Sequence, residues 1–491
     1  MNKHRIGISR RDFITAAASA GLAAYLQRGI DAAEPETPDK AALQGTVNRP
    51  RLEWFQNQRY GMFIHWGPSV IHGGAYDYSD LSWSRGGLPP DPWCGGGPIP
   101  PDIYDNSYKT FNPTQYNPAA WVQLAQEAGM RYIVITARHH DSFSMFDTQQ
   151  SDFKITHPQG AYRKWMASQH PGWTDEQINR AADIIGQLAD AVHAEGLGFG
   201  IYYSQPDWIR EDYRIALTGK NNAGETVSQA QRQAAAETYQ DFMHRQLQEL
   251  TTQYGKIDIL WLDAIKPSHV KEHGWPALWI RQDTLEMVRR NQPGILLNDR
   301  HGFEPDYRTP ENEDARYSPG TVQESCQHVG YQWAWRPNDR VPSVKWFIKR
   351  IVINASRNSN ILMNIGPSPD GTFDPKQADR IREVGRWLSH HAEAIYGTRG
   401  GPVIDNSDQP AFVTTRSGNR IFVHVLQDTS AGSEIRLPGV MISSAVRFGY
   451  PDQSLPFRQG NDAGFLRLPE TLDPLDEIIV IEGTFQADEV L

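Results

Sequence analysis

Arg131-Tyr132-Ile133-Val134-Ile135-Thr136-Ala137-Arg138-His139-His140 is an apolar run that closes on two adjacent histidines. It reads as a buried strand with its polar residues at the C-terminal end. The pattern recurs. Met62-Phe63-Ile64 runs into His65-Trp66-Gly67, and Phe199-Gly200-Ile201 into Tyr202-Tyr203-Ser204. Ile257-Asp258-Ile259-Leu260 leads to Trp261-Leu262-Asp263, and Ile295-Leu296-Leu297 to Asn298-Asp299-Arg300. Parallel α/β architectures place their reactive groups just beyond the strand C-termini. The sequence therefore aims histidine, aromatic, carboxylate and arginine side chains at one mouth, a recipe that suits a neutral polyol ring better than a phosphate.

Working outward, strands and helices alternate from Leu52 to about Gly400. Helices are expected over 117–130, 174–196, from about 229 to 254, and over 278–291, 344–357 and 375–394, from apolar stripes at helical spacing. Thr174 with Gln177 makes a capping box at the start of the second. With Gln323 to Val329 and Asn360 to Ile365, seven strands are recognisable, and right-handed crossovers roll such a series into a barrel. An open doubly wound sheet would carry a glycine-rich phosphate loop after its first strand, and His65-Trp66-Gly67 is not one. The expected fold is α/β, a (β/α)8-like barrel of the TIM type over residues 49–399, with an irregular or missing helix. Residues 68–112 hold many Gly and Pro and form a long loop expected over the mouth. After Gly400 short alternating runs such as Arg420-Ile421-Phe422-Val423-His424-Val425 predict a small antiparallel β-sandwich over 400–491.

Composition bounds the partners. A net charge of −10 over 491 residues argues against nucleic acid or an anionic membrane surface. Fifteen Trp and nineteen Tyr supply flat faces of the kind that pack against the C–H side of a pyranose. Cys94 and Cys326 are too few for a disulfide framework or a structural zinc site and leave room for at most one bridge. At the N-terminus, Ser9-Arg10-Arg11-Asp12-Phe13-Ile14 precedes a mild Ala- and Gly-rich apolar stretch ending at Leu26, too short and weak to span a bilayer. It resembles a twin-arginine export signal over 1–33, followed by a disordered leader over 34–48. A periplasmic or secreted protein with no membrane span is expected.

Among the mouth residues Asp263 is the strongest nucleophile candidate. It ends an apolar strand, and Trp261 lies two residues earlier on the same side. Glycoside cleavage needs a second carboxyl group to protonate the leaving oxygen. Glu311, on the loop after Asn298-Asp299-Arg300, is the first choice, and Glu324, on the next strand, is the alternative; Glu313 and Asp314 read as solvated neighbours. Neutral imidazoles at His65, His139 and His140 match a hydroxyl's capacity both to donate and to accept. Three His and an Asp would also make a zinc set, but adjacent His139 and His140 point to opposite sides of a regular strand, so joint ligation requires an irregular end. No metal and no cofactor are expected. Arg300 orients a carboxylate, contacts the ring, or forms an ion pair with Asp299 or Asp263. Trp83, Trp333 and Tyr202 are either core or site residues.

Together these residues resemble glycoside hydrolase family 29, the α-L-fucosidases. The resemblance covers most of the chain from Trp54 to Pro402. It rests on Trp54-Phe55-Gln56 with Gly61-Met62-Phe63-Ile64-His65-Trp66-Gly67, Phe111-Asn112-Pro113, Ala128-Gly129-Met130-Arg131-Tyr132-Ile133, His139-His140-Asp141 and Ile201-Tyr202-Tyr203-Ser204. Leu260-Trp261-Leu262-Asp263, Asn298-Asp299-Arg300, Asn364-Ile365-Gly366-Pro367 with Asp370-Gly371, and Glu393-Ala394-Ile395-Tyr396-Gly397 complete it. It implies an exo-acting, retaining enzyme that takes terminal α-L-fucose from fucosylated oligosaccharides or glycoconjugates. Asp263 matches the family nucleophile, and His65, His139, His140, Tyr202, Trp261 and Arg300 match fucose-contacting positions. Phe63 and Trp333 match the aromatic wall against the C6 methyl, which is apolar and wants such a wall. The chain departs from the family pattern at Ser82-Trp83, where many members carry Glu-Trp, and at Gln323-Glu324, where many carry Trp-Glu. A metal-dependent barrel hydrolase and a non-catalytic carbohydrate-binding protein on the same fold are the alternatives.

Overall fold

The structure is a computed structural model and describes residues 49–73, 81–87, 96–263, 280–426 and 429–485. The export signal, the leader over 34–48 and Cys94 lie outside the described residues, as does part of the Gly- and Pro-rich segment before Pro101. Cys326 is a buried free thiol.

Seven parallel strands form one sheet: β1 (Tyr60–Ile64), β2 (Tyr132–Arg138), β3 (Gly198–Ser204), β4 (Ile259–Asp263), β5 (Leu296–Leu297), β6 (Gln323–His328) and β7 (Ser359–Asn364). Their spatial order is β5-β4-β3-β2-β1-β7-β6. All are buried on both faces save at the ends of β4 and β6, as near-continuous apolar runs predict, except that β6, Gln323-Glu324-Ser325-Cys326-Gln327-His328, is buried without such a run. The two-residue alternation of the pleat sorts their side chains. Phe63, Tyr132, Val134, Tyr202, Ile259, Trp261 and Leu362 fill the inside of the curled sheet. Met62, Ile64, Ile133, Ile135, Ile201, Leu260 and Leu262 pack outward against the surrounding helices. At Gly61 a side chain is impossible, because a Cβ would meet the Tyr132 ring at 2.4 Å.

The gap between β5 and β6 is bridged by backbone that belongs to neither. Asn298 pairs with Tyr307, Arg308 with Gln323 and Glu311 with Cys326, each in parallel sense. The backbone amides of Asp306, Glu324 and Cys326 donate hydrogen bonds to the carbonyls of Leu297, Arg308 and Pro310 respectively. Tyr307 joins the interior cluster. Residues 306–312 thus act as an eighth, irregular stave with no helix before or after it, the irregularity expected of this barrel.

The helices follow the apolar stripes, except that one expected helix is divided and three more, Arg49–Gln58, Ala161–Gln169 and Glu211–Thr218, form where none was expected. The stretch read as a single helix over 174–196 is two, Asp175–Ala182 and Ile184–Ala194. The capping box Thr174–Gln177 starts the first. Asp183 is extended, and its carboxylate caps the second by accepting from the Gly186 amide, since an Asp at such a point competes for backbone donors better than it continues a helix. Helix Gln229–Gln253 runs unbroken from its own capping box at Ser228. The segment after β1, read as loop, holds short helical turns at Pro68–His72, Leu81–Ser84, Pro101–Tyr104 and Ser107–Lys109. Asp314, read as solvated, is buried under Arg350 and Asn354, both of which donate to it.

Beyond the barrel, β8 (Arg399–Gly400) and β9 to β16, between Phe412 and Phe485, form antiparallel sheets of six and three strands. They face each other across Ile421, Val423, Leu437, Val440, Leu466, Ile479 and Ile481, the expected sandwich. Among the described residues no helix is long and apolar enough to cross a membrane.

Candidate active site

Six strands or the segments that follow them, and the irregular stave, meet at one cavity of about 190 Å³. That volume sits below the usual small-molecule range and suits a single sugar ring. Its wall includes Phe63, His65, Trp83, His139, His140, Tyr202, Trp261, Asp263, Arg300, Glu311 and Trp333. Every site residue read from the sequence is therefore there except Glu324. Pro206, Trp208, Tyr213 and Cys326 also line it and were not singled out in the sequence. Pro206 follows β3 directly, where the strand-end rule could have pointed to it; Trp208 lies further along the loop and Tyr213 on the helix Glu211–Thr218.

The cavity is organised by one guanidinium. Arg300 donates from Nη1 to Asp263 Oδ1 at 2.9 Å and from Nη2 to Glu311 Oε2 at 2.9 Å. Its plane lies 4.5 Å over the Trp261 ring. Its Nε donates to Thr309 Oγ1 at 3.0 Å, and Asp299 in turn accepts from the Thr309 hydroxyl and amide. The ion-pair reading of Arg300 thus holds for Asp263, while Asp299 acts through Thr309. A planar fork can serve two carboxylates at once in a way that a lysine cannot.

Asp263 also accepts from Tyr202 Oη at 2.6 Å. Burial pushes its carboxyl up, but Arg300, His140 and the Tyr202 hydroxyl outweigh burial and hold it below the usual carboxylate range. At neutral pH it therefore stands ionised. Glu311 is the more open of the two carboxylates, its side chain 33% exposed against 16% for Asp263.

Three imidazoles complete the polar wall, each tied at Nδ1 from behind: His65 to Asn364 at 2.7 Å, His139 to Ser82, and His140 to Ser204 at 2.7 Å. The Asn364 amide nitrogen donates to the Trp333 carbonyl, so its oxygen must accept and His65 must carry its proton on Nδ1, leaving Nε2 an acceptor. Burial is the main cause that drives His65 and His140 down to about 4 and His139 well below the ordinary value. At neutral pH all three are uncharged hydrogen-bonding groups. β2 loses regular register between Thr136 and Arg138, which turns both His139 and His140 into the cavity with ring centroids 4.3 Å apart. The apolar wall stands opposite. Phe63 lies 5.2 Å from Trp261 and 6.0 Å from Trp333, and His65 lies 4.9 Å from Trp333. Trp83, 40% exposed, stands edge-on to Trp208 at 4.7 Å.

Glu324 sits inside the barrel behind Trp261. Fully buried, it accepts from Tyr132 Oη at 2.6 Å and Trp261 Nε1 at 3.1 Å. Burial pushes its carboxyl up to about 7, and the hydrogen bonds from Tyr132 and Trp261 offset only part of that. Between its ordinary 4.5 and about 7, the fold holds a proton that the unfolded chain releases. Stability therefore falls as pH rises across that window, by on the order of 1.4 kcal/mol per pH unit. Glu324→Gln keeps an acceptor for Trp261 and removes the titration. Its melting temperature should gain on the wild type as pH goes from 4.5 to 7; a constant difference across that range would show that Glu324 ionises normally.

The chain matches known proteins in sequence and in fold. The sequence model of the α-L-fucosidase family matches residues 29–393. Tissue α-L-fucosidase of Homo sapiens is 25% identical over 404 residues, 79% of this chain and 77% of that protein, and that of Bos taurus is 25% identical over 381 residues, 74% and 72%. Among solved structures, α-L-fucosidase isoenzyme 1 from Paenibacillus thiaminolyticus superposes with a TM-score of 0.69 at 26% identity, covering 89% of this chain and all of that one. A Bacteroides thetaiotaomicron α-L-fucosidase of glycoside hydrolase family 29, trapped as a covalent intermediate with 2-fluoro-fucosyl fluoride, shares the fold with a TM-score of 0.70 at 21% identity, covering 89% and 96%. A barrel whose strand ends present a clamped carboxylate pair, three neutral imidazoles and an aromatic wall, matched by the family model over most of its length, places this chain in the α-L-fucosidase family of glycoside hydrolases.

Proposed function

We propose that the protein is an exo-acting, retaining α-L-fucosidase that removes terminal α-L-fucose from fucosylated glycans by double displacement. The observation that carries this reading is the single Arg300 fork on both Asp263 and Glu311 within a cavity the size of one ring. In the first step an Asp263 oxygen attacks the anomeric carbon and the glycosidic C–O bond breaks, while Glu311 gives its proton to the leaving oxygen. In the second, Glu311 takes a proton from water, whose oxygen displaces Asp263 and releases the sugar with retained configuration. His65, His139 and His140 read hydroxyls, and Phe63 with Trp333 covers the C6 methyl. The covalent intermediate trapped on the Bacteroides relative supports the two-step course.

A metal-dependent reading has one observation behind it, since ligand atoms of His139, His140 and Asp263 lie within 4.8 Å of one another. Against it, the same Asp263 carboxylate already holds the Arg300 cation at 2.9 Å, and a second cation there meets direct repulsion.

Hydrolysis of 4-nitrophenyl α-L-fucoside beside a branched fucosylated trisaccharide tests the assignment, with the first-formed anomer followed by NMR and EDTA added in parallel. The expected result is turnover, α-L-fucose as first product and no effect of EDTA. First release of the β anomer would overturn retention, and loss of activity to the chelator would favour the metal.

Export through a twin-arginine route to the periplasm or beyond is part of the same proposal, supported by Arg10-Arg11 ahead of the apolar stretch. Replacing both arginines by lysine should hold the protein in the cytoplasm on cell fractionation. Unchanged export would remove this reading.

A further inference from the structure

The hydrogen bonds behind Asp263 have only one consistent direction. A phenol carries one proton, and Tyr202 spends it on Asp263 Oδ2 at 2.6 Å. Its oxygen can then only accept from Ser204 Oγ, 3.0 Å away. The serine proton is thereby used, so at 2.7 Å from His140 Nδ1 Ser204 must accept, and Nδ1 must carry the ring proton. The chain His140 Nδ1–H to Ser204 Oγ–H to Tyr202 Oη–H to Asp263 is complete, and no proton need move along it. It leaves His140 Nε2 as a bare acceptor 3.6 Å from Asp263 Oδ2.

Ser204 is placed for this by register rather than by a loop. It is the last residue of β3 and pairs with Asp263 across the ladder, as Tyr202 pairs with Trp261. The ladder continues past it, the Gln205 amide donating to the Asp263 carbonyl at 2.8 Å. Ser204 is fully buried, its own carbonyl takes a hydrogen bond from Arg138, and it does not line the cavity. Its hydroxyl has no partners besides Tyr202 and His140 among the hydrogen bonds described.

We propose that Ser204 is a positioning residue: its hydroxyl fixes the tautomer of His140 and aims the Tyr202 phenol at Asp263, so that one buried side chain sets two groups of the site. Without it, His140 is free to move its proton to Nε2 and donate to Asp263, which removes the acceptor from the cavity and draws charge from the nucleophile. The proposal rests on the fucosidase reading for its kinetic half and on hydrogen-bond direction alone for its spectroscopic half.

The experiment is therefore in two parts. Long-range ¹⁵N–¹H correlation of histidine-labelled protein, with His140 assigned through His140→Gln, should show Nδ1 protonated and Nε2 bare in the wild type, with the reverse in Ser204→Ala. Asp263, Glu311, Asp207 and Arg138, the charged groups that act on His140, are unchanged by the substitution. Kinetically, Ser204→Ala should lower kcat about 10- to 100-fold with little change in KM, and Ser204→Thr, which keeps the hydroxyl, should recover most of it. Ser204→Ala added to Tyr202→Phe should cost much less than it does alone. A wild-type His140 protonated on Nε2 would overturn the proposal, as would a Ser204→Ala enzyme of normal kcat, or losses that multiply fully with those of Tyr202→Phe. Should Ser204→Ala fail to fold, Ser204→Cys is read by the same criteria. A wild type inactive on every fucoside would speak against the assigned reaction, while the ¹⁵N result would still decide the relay.

Discussion

Replacing Asp263 with alanine lowers kcat/KM on 4-nitrophenyl α-L-fucoside by about 10⁴-fold or more while fucose still binds. The split between binding and turnover follows from the geometry. The imidazoles are held by Asn364, Ser82 and Ser204 and do not rely on Asp263 for their place. The variant should also stay folded, because Arg300 keeps Glu311 and Thr309 as partners and no buried cation is stranded, the situation that makes one-sided removal of an ion pair so costly. Calorimetric titration with fucose, a thermal melt and the steady-state rate check the three parts together. Azide gives the sharpest readout: filling the space of the lost carboxylate, it should attack an activated fucoside directly and yield the β-fucosyl azide. Near-normal hydrolysis by Asp263→Ala would remove the nucleophile from the mechanism.

The second large effect belongs to Glu311. Glu311→Ala should slow hydrolysis of a natural fucoside by about 10²–10⁴-fold, and much less for the first step on a 2,4-dinitrophenyl fucoside, whose leaving group needs little proton assistance. The fucosyl-enzyme then lacks a base for water. Azide needs none, so it should restore turnover and yield the α-fucosyl azide, the opposite configuration to that from Asp263→Ala. Glu324→Ala and Glu324→Gln should show no rescue, since Glu324 has no exposure and its oxygens are occupied by Tyr132 and Trp261. Rescue at position 324 and none at 311 would reverse the two assignments.

The strand ends were legible because a strand buried on both faces leaves its mark as an uninterrupted apolar run, and the first polar residue after it is by construction at the barrel's rim. His65, His139, Tyr202, Asp263 and Arg300 were found in that way. Trp208 stands deeper in the loop after β3 and Tyr213 on the helix Glu211–Thr218 that follows it, where an aromatic residue in sequence is indistinguishable from one in a core. The choice between the two glutamates could not be read from the chain. Glu324 lies on a regular strand whose alternation sends it inward beneath Trp261. Glu311 lies on a segment whose sequence, Asp306-Tyr307-Arg308-Thr309-Pro310-Glu311, has no strand signature at all, and only the long-range pairings to Asn298, Gln323 and Cys326 make it part of the barrel. The break at Asp183 was hidden for a related reason: the apolar stripe passes through it unbroken, and only its extended backbone, ψ 102°, reveals the second start. The joint orientation of His139 and His140 required the loss of register in β2, which period-two reasoning alone would not supply.

The two carboxylates are mounted very differently. Asp263 belongs to a strand hydrogen-bonded on either side, with ranks of apolar side chains behind it, whereas Glu311 rides a stretch stitched in by single bridges with no helix at its back. For anyone wishing to retool this scaffold, Asp263 is the fixed post and Glu311 the adjustable arm. Grafts or length changes confined to residues 302–305 and 317–321, on either side of the irregular stave, offer a way to recruit new acceptors, including sugars in place of water for glycan synthesis, without disturbing the segments that carry Asp263 and Glu311.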